Sequence, residues 1–177
     1  GILRRRGVVF HAVFVGPVPA APAPSWRTRL ASCCGREAYI TSVRRIIAVE
    51  QLEDRVTFTG EHTNVDELVP QCEILAAPFT EPHFSRLCGE AALAGRPAVA
   101  FAIDGPGEEI VDGVTGLLAR PFDSADLAEK LAALLGDAAL RERMGTASRA
   151  HAARVFSADT NVAAVMALYA RVRRLEE

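Results

Sequence analysis

The feature that most constrains this chain is a regular alternation. Short apolar runs bounded by glycine or proline are separated by segments with helical spacing of apolar residues. Val8-Val9-Phe10-His11-Ala12-Val13-Phe14-Val15 is closed by Gly16-Pro17, and a continuous β-branched and aromatic run of that length predicts a strand buried on both faces. Val56-Thr57-Phe58-Thr59-Gly60, Ile74-Leu75-Ala76-Ala77-Pro78, Pro97-Ala98-Val99-Ala100-Phe101-Ala102 and Gly116-Leu117-Leu118-Ala119 predict further strands. Between and after them the pattern is helical. A helix capped by Ser25 runs through Trp26 and Leu30 to about Val49; Val65 to Pro70 is short; Leu87 to Ala94 ends at Gly95; Glu108 to Val111 is one turn. Asp123 or Ser124, then Asp137, then Ser157 cap three closing helices, the last carrying Val162, Val165, Met166, Tyr169 and Val172.

Strand and helix in strict alternation predict an α/β fold: a Rossmann-like parallel sheet of five to six strands with helices on both faces and the C-terminal helices packed on it. The 177 residues suffice for one domain, residues 1–177. Composition adds exclusions. The formal net charge of −2 gives no basic field for nucleic acid, and no apolar run is long enough to span a bilayer. Arg4-Arg5-Arg6 reads as the solvated end of a helix. Cys33-Cys34 are adjacent and Cys72 and Cys88 lie among apolar residues, which fits reduced thiols and a cytoplasmic setting.

Ligands on open parallel sheets bind at the carboxyl ends of the strands. That singles out Gly16-Pro17, Gly60-Glu61-His62, Phe79 to Ser85, and Asp104 to Glu108. The dinucleotide fingerprint, the P-loop and the nucleophile elbow are all missing, and His11, His62, His83 and His151 do not pair at metal spacing, so no cofactor and no metal are expected. What remains is Glu81-Pro82-His83-Phe84-Ser85-Arg86, then Glu90 near a helix start, then Asp104-Gly105-Pro106-Gly107-Glu108. A carboxylate beside a helix start accepts hydrogen bonds from a diol such as a ribose. The amides of Gly105 and Gly107 suit a diphosphate, and Arg86 adds a charge-assisted contact. Each has a plainer reading: Glu90 as a helix-dipole carboxylate, the glycines as a turn, His83 as a surface histidine.

Taken together, Val56 to Gly60, Ile74 to Pro78, Glu90-Ala91-Ala92-Leu93-Ala94-Gly95-Arg96-Pro97-Ala98-Val99-Ala100 and Glu108 through Asp112-Gly113-Val114-Thr115-Gly116-Leu117-Leu118 resemble the C-terminal domain of retaining glycosyltransferases of the two-Rossmann (GT-B) architecture, family 4, from about Val8 to Leu175. The resemblance implies a donor-binding half that holds a nucleoside-diphosphate sugar, with transfer of the glycosyl group to an acceptor hydroxyl in the intact enzyme. It assigns Glu90 to the ribose and adds Gly16, Glu61, His83, Phe84, Ser85, Arg86, Gly105 and Gly107 to the donor side. The family's first glutamate falls at Pro82, with Glu81 one residue earlier. Either the loop bulges and Glu81 serves as the catalytic carboxylate, or the sugar contact is lost. The chain starts at Gly1, so the family's Arg/Lys pair, the acceptor-binding N-terminal domain and any peripheral membrane contact made through that domain are expected upstream; alone, the chain is expected to be inactive. A sugar-nucleotide epimerase of the same architecture and a non-catalytic nucleotide-binding domain are the alternatives.

Overall fold

The computed structural model describes residues 1–16, 36–82 and 84–174. The Pro/Ala-rich loop, the Ser25 cap, Trp26, Leu30, Cys33, Cys34 and His83 lie outside them. The chain forms two compact units, 1–65 and 66–177.

The first unit opens with a one-turn helix, α1 (Ile2–Arg5), followed by β1 (Ala12–Val15), α2 (Arg36–Val49) and β2 (Val56–Gly60). β1 and β2 pair in parallel, with Phe14 stacked on Phe58 at 5.2 Å between centroids and His11 Nε2 2.8 Å from Thr57 Oγ1. Two expectations are corrected here. Val8, Val9 and Phe10 stay outside the strand, and Val13, Phe14 and Val15 are 42–46% exposed. An apolar run reports that a strand is favoured, but burial on both faces also needs a covering layer on each. The arginine cluster does end a helix and is exposed, as expected, and two of its members also make contacts. Arg4 donates to the Glu50 carbonyl (2.6 Å) and to Gln51 Oε1 (2.7 Å), and Arg5 pairs with Glu50 at 2.5 Å. Two cations thus meet the carboxyl end of α2, where the last carbonyls lack helical partners and the dipole favours positive charge.

The chain passes into the second unit within α3 (Val65–Leu68) and continues through β3 (Leu75–Ala77), α4 (Arg86–Leu93), β4 (Ala98–Phe101), α5 (Pro106–Glu109), β5 (Gly116–Ala119), α6 (Ser124–Gly136), α7 (Ala138–Val155) and α8 (Ala158–Arg173). β3, β4 and β5 form a parallel sheet in that order, with Ala77 opposite Ala100 and Phe101 opposite Ala119. All four residues of β4 are buried, because alternate side chains enter two different cores. Ala98 and Ala100 join Ala77, Cys88 and Ile110 on one face; Val99 joins Leu134 and Met144 on the other. Small residues allow tight layers. A Cβ on Gly116 would land on the Ala98 carbonyl, and one on Gly145 of α7 would land on the carbonyl of Gly95, the residue that closes α4 with φ +72°.

The α/β class with parallel strands and helices on both faces is therefore observed, but among the described residues as sheets of two and three strands rather than one of five to six. Alternation counts strands; it does not say which of them share hydrogen bonds. The last helix is a further correction. α8 has no buried residue. In the second unit the two faces of the sheet are already occupied by α4 on one side and by α6 and α7 on the other, so its apolar positions find no open face there.

Candidate functional site

β3 and β4 are adjacent parallel strands, so the chain leaves both at the same edge of the sheet. The loop after β3 turns at Phe79, whose N–H donates to the Ala77 carbonyl at 2.9 Å, and runs past Glu81, Pro82 and Phe84 to Ser85. The loop after β4 reaches Gly105, where φ is +96°, a region that favours glycine because it has no Cβ. A buried hydrogen bond joins the two loops: the Ser85 backbone N–H donates to Glu109 Oε1 at 2.7 Å, with Ser85 3% and Glu109 9% exposed.

The predicted residues distribute as follows. Ser85 is the N-cap position of α4, Arg86 its first residue, and Glu90 stands one turn further on, in the second turn rather than at the helix start. The helix-dipole reading of Glu90 loses its force there, since the effect fades beyond the first turn. Arg86 and Glu90, four residues apart, share a helix face, and both are exposed. Phe84 is 59% exposed and meets Phe156 edge-on at 6.1 Å, whereas Phe79 packs against the core. Glu81 is exposed. The Gly107 N–H donates to the Ile103 carbonyl at 3.0 Å, so that amide is engaged inside the turn. Gly16 and Glu61 belong to the first unit, where the Gly16 N–H donates to the Gly60 carbonyl at 2.9 Å and Glu61 follows β2.

Glu109 was not among the residues singled out from sequence. The available signal was the pair Glu108-Glu109 in a short helix ahead of the apolar Ile110-Val111: consecutive helical residues point in different directions, so the two carboxylates meet different surroundings. It lines a cavity of about 10 Å³ together with Cys88, Arg96, Ser148 and Phe156, large enough for one water and far too small for a nucleotide. Burial, reinforced by the negative charge of Glu109, pushes the Cys88 thiol from 9.0 up to about 11, so it stays protonated and is no nucleophile at neutral pH. The Asp112 to Leu118 run is turn chemistry: Asp112 Oδ1 accepts from the Leu118 N–H and Thr115 Oγ1 from the Val111 N–H, each at 2.8 Å. Among the described residues, no three His, Cys, Asp or Glu side chains converge as a metal site would require, and no helix is long and apolar enough to cross a membrane.

Comparison with known proteins decides the family. The family model described as glycosyl transferases group 1 matches residues 5–137. This chain belongs to that family. The group 1 chain is 29% identical over 144 residues to the alpha-D-kanosaminyltransferase of Streptomyces kanamyceticus, covering 80% of this chain and 32% of the relative. Its fold matches that of GT-B glycosyltransferases. HepE of Anabaena, whose structure was solved with UDP and glucose, superposes with a TM-score of 0.69 at 24% identity, over 94% of this chain and 51% of that one. The C-terminal domain of a glycosyl transferase group 1 family protein (LpcC) of Francisella tularensis superposes with a TM-score of 0.67 at 14% identity, over 89% of this chain and 92% of that domain. The chain thus spans about a third of the curated relative and about half of HepE.

Proposed function

We propose that residues 1–177 are the donor-binding, C-terminal half of a family 4 retaining glycosyltransferase. The observation that carries this reading is the paired loop edge. Two adjacent parallel strands deliver two loops to one end of the sheet, the loops are joined through Ser85 and Glu109, and α4 presents Arg86 and Glu90 from that edge. Arg86 lies at the positive end of its helix, an unfavourable placement for helix stability alone, and N-terminal to Glu90, the weaker orientation of an i,i+4 pair; the arrangement fits a cation that meets phosphate and a carboxylate that meets a ribose. With the Gly107 amide engaged and Gly105 buried, the Arg86 and Leu87 amides at the exposed start of α4 are assigned to the diphosphate. Phe84 is assigned to the donor side, and Glu81 to the sugar itself if the loop bulges at Pro82.

The likeness to HepE, solved with UDP and glucose, supports a uridine or related nucleoside-diphosphate sugar as donor. The almost full-length match to the isolated LpcC domain supports the C-terminal assignment. In the complete enzyme the reaction forms a glycosidic bond to an acceptor hydroxyl as the bond to the diphosphate breaks, with retention; an oxygen of the leaving diphosphate takes the acceptor proton. Calorimetric titration of the chain with UDP-, GDP- and ADP-sugars tests the donor assignment. Saturable binding of one nucleotide class is expected, and no binding by any of them overturns it. The substitution of the family's first glutamate by Pro82 favours, as a second reading, a domain that binds nucleotide without turnover. Equal affinity for the sugar nucleotide and its bare diphosphate would speak for that reading.

A further inference from the structure

We infer that Glu109 is a positioning residue that sets the start of α4 against the Gly105 turn, so that both donor-facing loops hold one geometry. This deepens the donor-binding reading above and rests on it. Ser85 is of the residue type that ordinarily caps a helix with its own hydroxyl, yet its side chain makes no capping bond to α4. The helix start is held instead from outside, by a carboxylate 24 residues later in the chain accepting the Ser85 N–H at 2.7 Å. Glu109 sits beside the apolar cluster of Cys88, Ala98 and Ile110, a place where an apolar side chain would pack at no desolvation cost. Its neighbour Glu108 is exposed, so the buried position is specific to one carboxylate of the pair. Because Gly105 is the N-cap of α5, the same four-residue helix carries Glu109 at its end and follows directly on the φ +96° turn. Moving the carboxylate therefore shifts Ser85 and Arg86 relative to Gly105.

The test uses the full chain and three variants, Glu109→Ala, Glu109→Asp and Glu109→Gln, with Leu134→Ala as a control that weakens the opposite core. The Ser85 amide resonance in ¹H–¹⁵N spectra reports the bond itself; calorimetry with UDP, GDP and ADP, below every melting temperature, reports its use. In Glu109→Ala and Glu109→Asp the Ser85 proton should move upfield, and affinity for the nucleotide that the native chain binds should fall about ten-fold or more, the scale of losing one hydrogen bond to a charged group. Glu109→Gln, which keeps an acceptor, should recover most of that affinity, and Leu134→Ala should retain it. Should Glu109→Ala not fold, Glu109→Asp carries the same expectation. An unmoved Ser85 resonance, or native affinity in Glu109→Asp, overturns the inference while leaving the donor assignment standing. A native chain that binds none of the three nucleotides overturns the donor assignment, and the inference with it.

Discussion

At the scale of single residues, the same side-chain chemistry takes different roles according to burial. Glu90 is exposed in the second turn of α4 and Glu109 is buried at the end of α5. Exposed substitutions away from special contacts change stability by roughly 0.5 kcal/mol or less, whereas a hydrogen bond to a charged group is worth about 1.5–3 kcal/mol. Glu90→Gln is therefore expected to weaken nucleoside diphosphate binding about ten-fold or more by calorimetry, with the melting temperature nearly unchanged. Unchanged affinity would remove Glu90 from the site. Cys88 makes a pH prediction. Its folded thiol titrates at about 11 against 9.0 when unperturbed. Between those values the unfolded chain loses the proton and the folded chain keeps it, so the contribution is complete below pH 9.0 and declines as pH rises to about 11. Melting temperature should fall across that window in the native chain more steeply than in Cys88→Ala; parallel curves would refute it.

Elements were legible where the local signal was also the structural cause. Asp123, Asp137 and Ser157 were readable as caps, and each accepts backbone N–H groups of its helix. The runs at Val56, Ala98 and Gly116 form strands because their apolar residues find partners, and Gly95 closes α4 because its φ is positive. What could not be read was tertiary. Residues 8–10 carry strand propensity yet stay outside the ladder, and α8 carries helical spacing yet buries nothing. In the site, the strand-end rule located both loops from sequence, but the inward turn of Glu109 depends on a contact 24 residues away, and the Gly107 amide is taken by a local turn onto the Ile103 carbonyl. Two predictions follow at this scale. Gly145→Ala would press a methyl onto the Gly95 carbonyl where α4 and α7 meet. Overpacking of that kind costs about 1–3 kcal/mol, measurable by urea unfolding, and a variant as stable as the native chain would show that the helices part without cost. Helix α8, with its apolar residues 46–62% exposed, lacks the packing that most helices depend on. Its amides should exchange with deuterium far faster than those of α7, which buries Met144, Gly145, Ser148 and Ala152; equal protection would mean that α8 is held by more than its own hydrogen bonds.

At the scale of the whole molecule, the proposed reading raises the question of what a donor-binding half can do without an acceptor-binding one. The chain matches an isolated C-terminal domain over 92% of that domain's length, but only 51% of HepE. On the proposed reading, the paired loops bind the donor from one side, and acceptor and remaining cations come from the other half. Holding two reactants in near-attack geometry supplies on the order of 7–11 kcal/mol of a bimolecular barrier, and none of that is available when one reactant has no binding site. The charge developing on the leaving diphosphate also needs placed cations or dipoles; on the same reading Arg86 and the amides at the start of α4 are only part of such a set. The exposed Phe84 beside the donor loops suits a surface that a second domain covers. We therefore expect the chain to bind nucleotide and to transfer no sugar. Incubation with UDP-, GDP- and ADP-sugars and a broad acceptor set should release nucleoside diphosphate no faster than uncatalysed hydrolysis, while calorimetry on the same preparation detects binding. Supplying the N-terminal half from the matching full-length protein should restore turnover, and Glu90→Gln should then reduce it. Sustained turnover by the chain alone, abolished by Glu90→Gln, would show that the whole reaction is completed within these residues and that the half-enzyme reading is wrong.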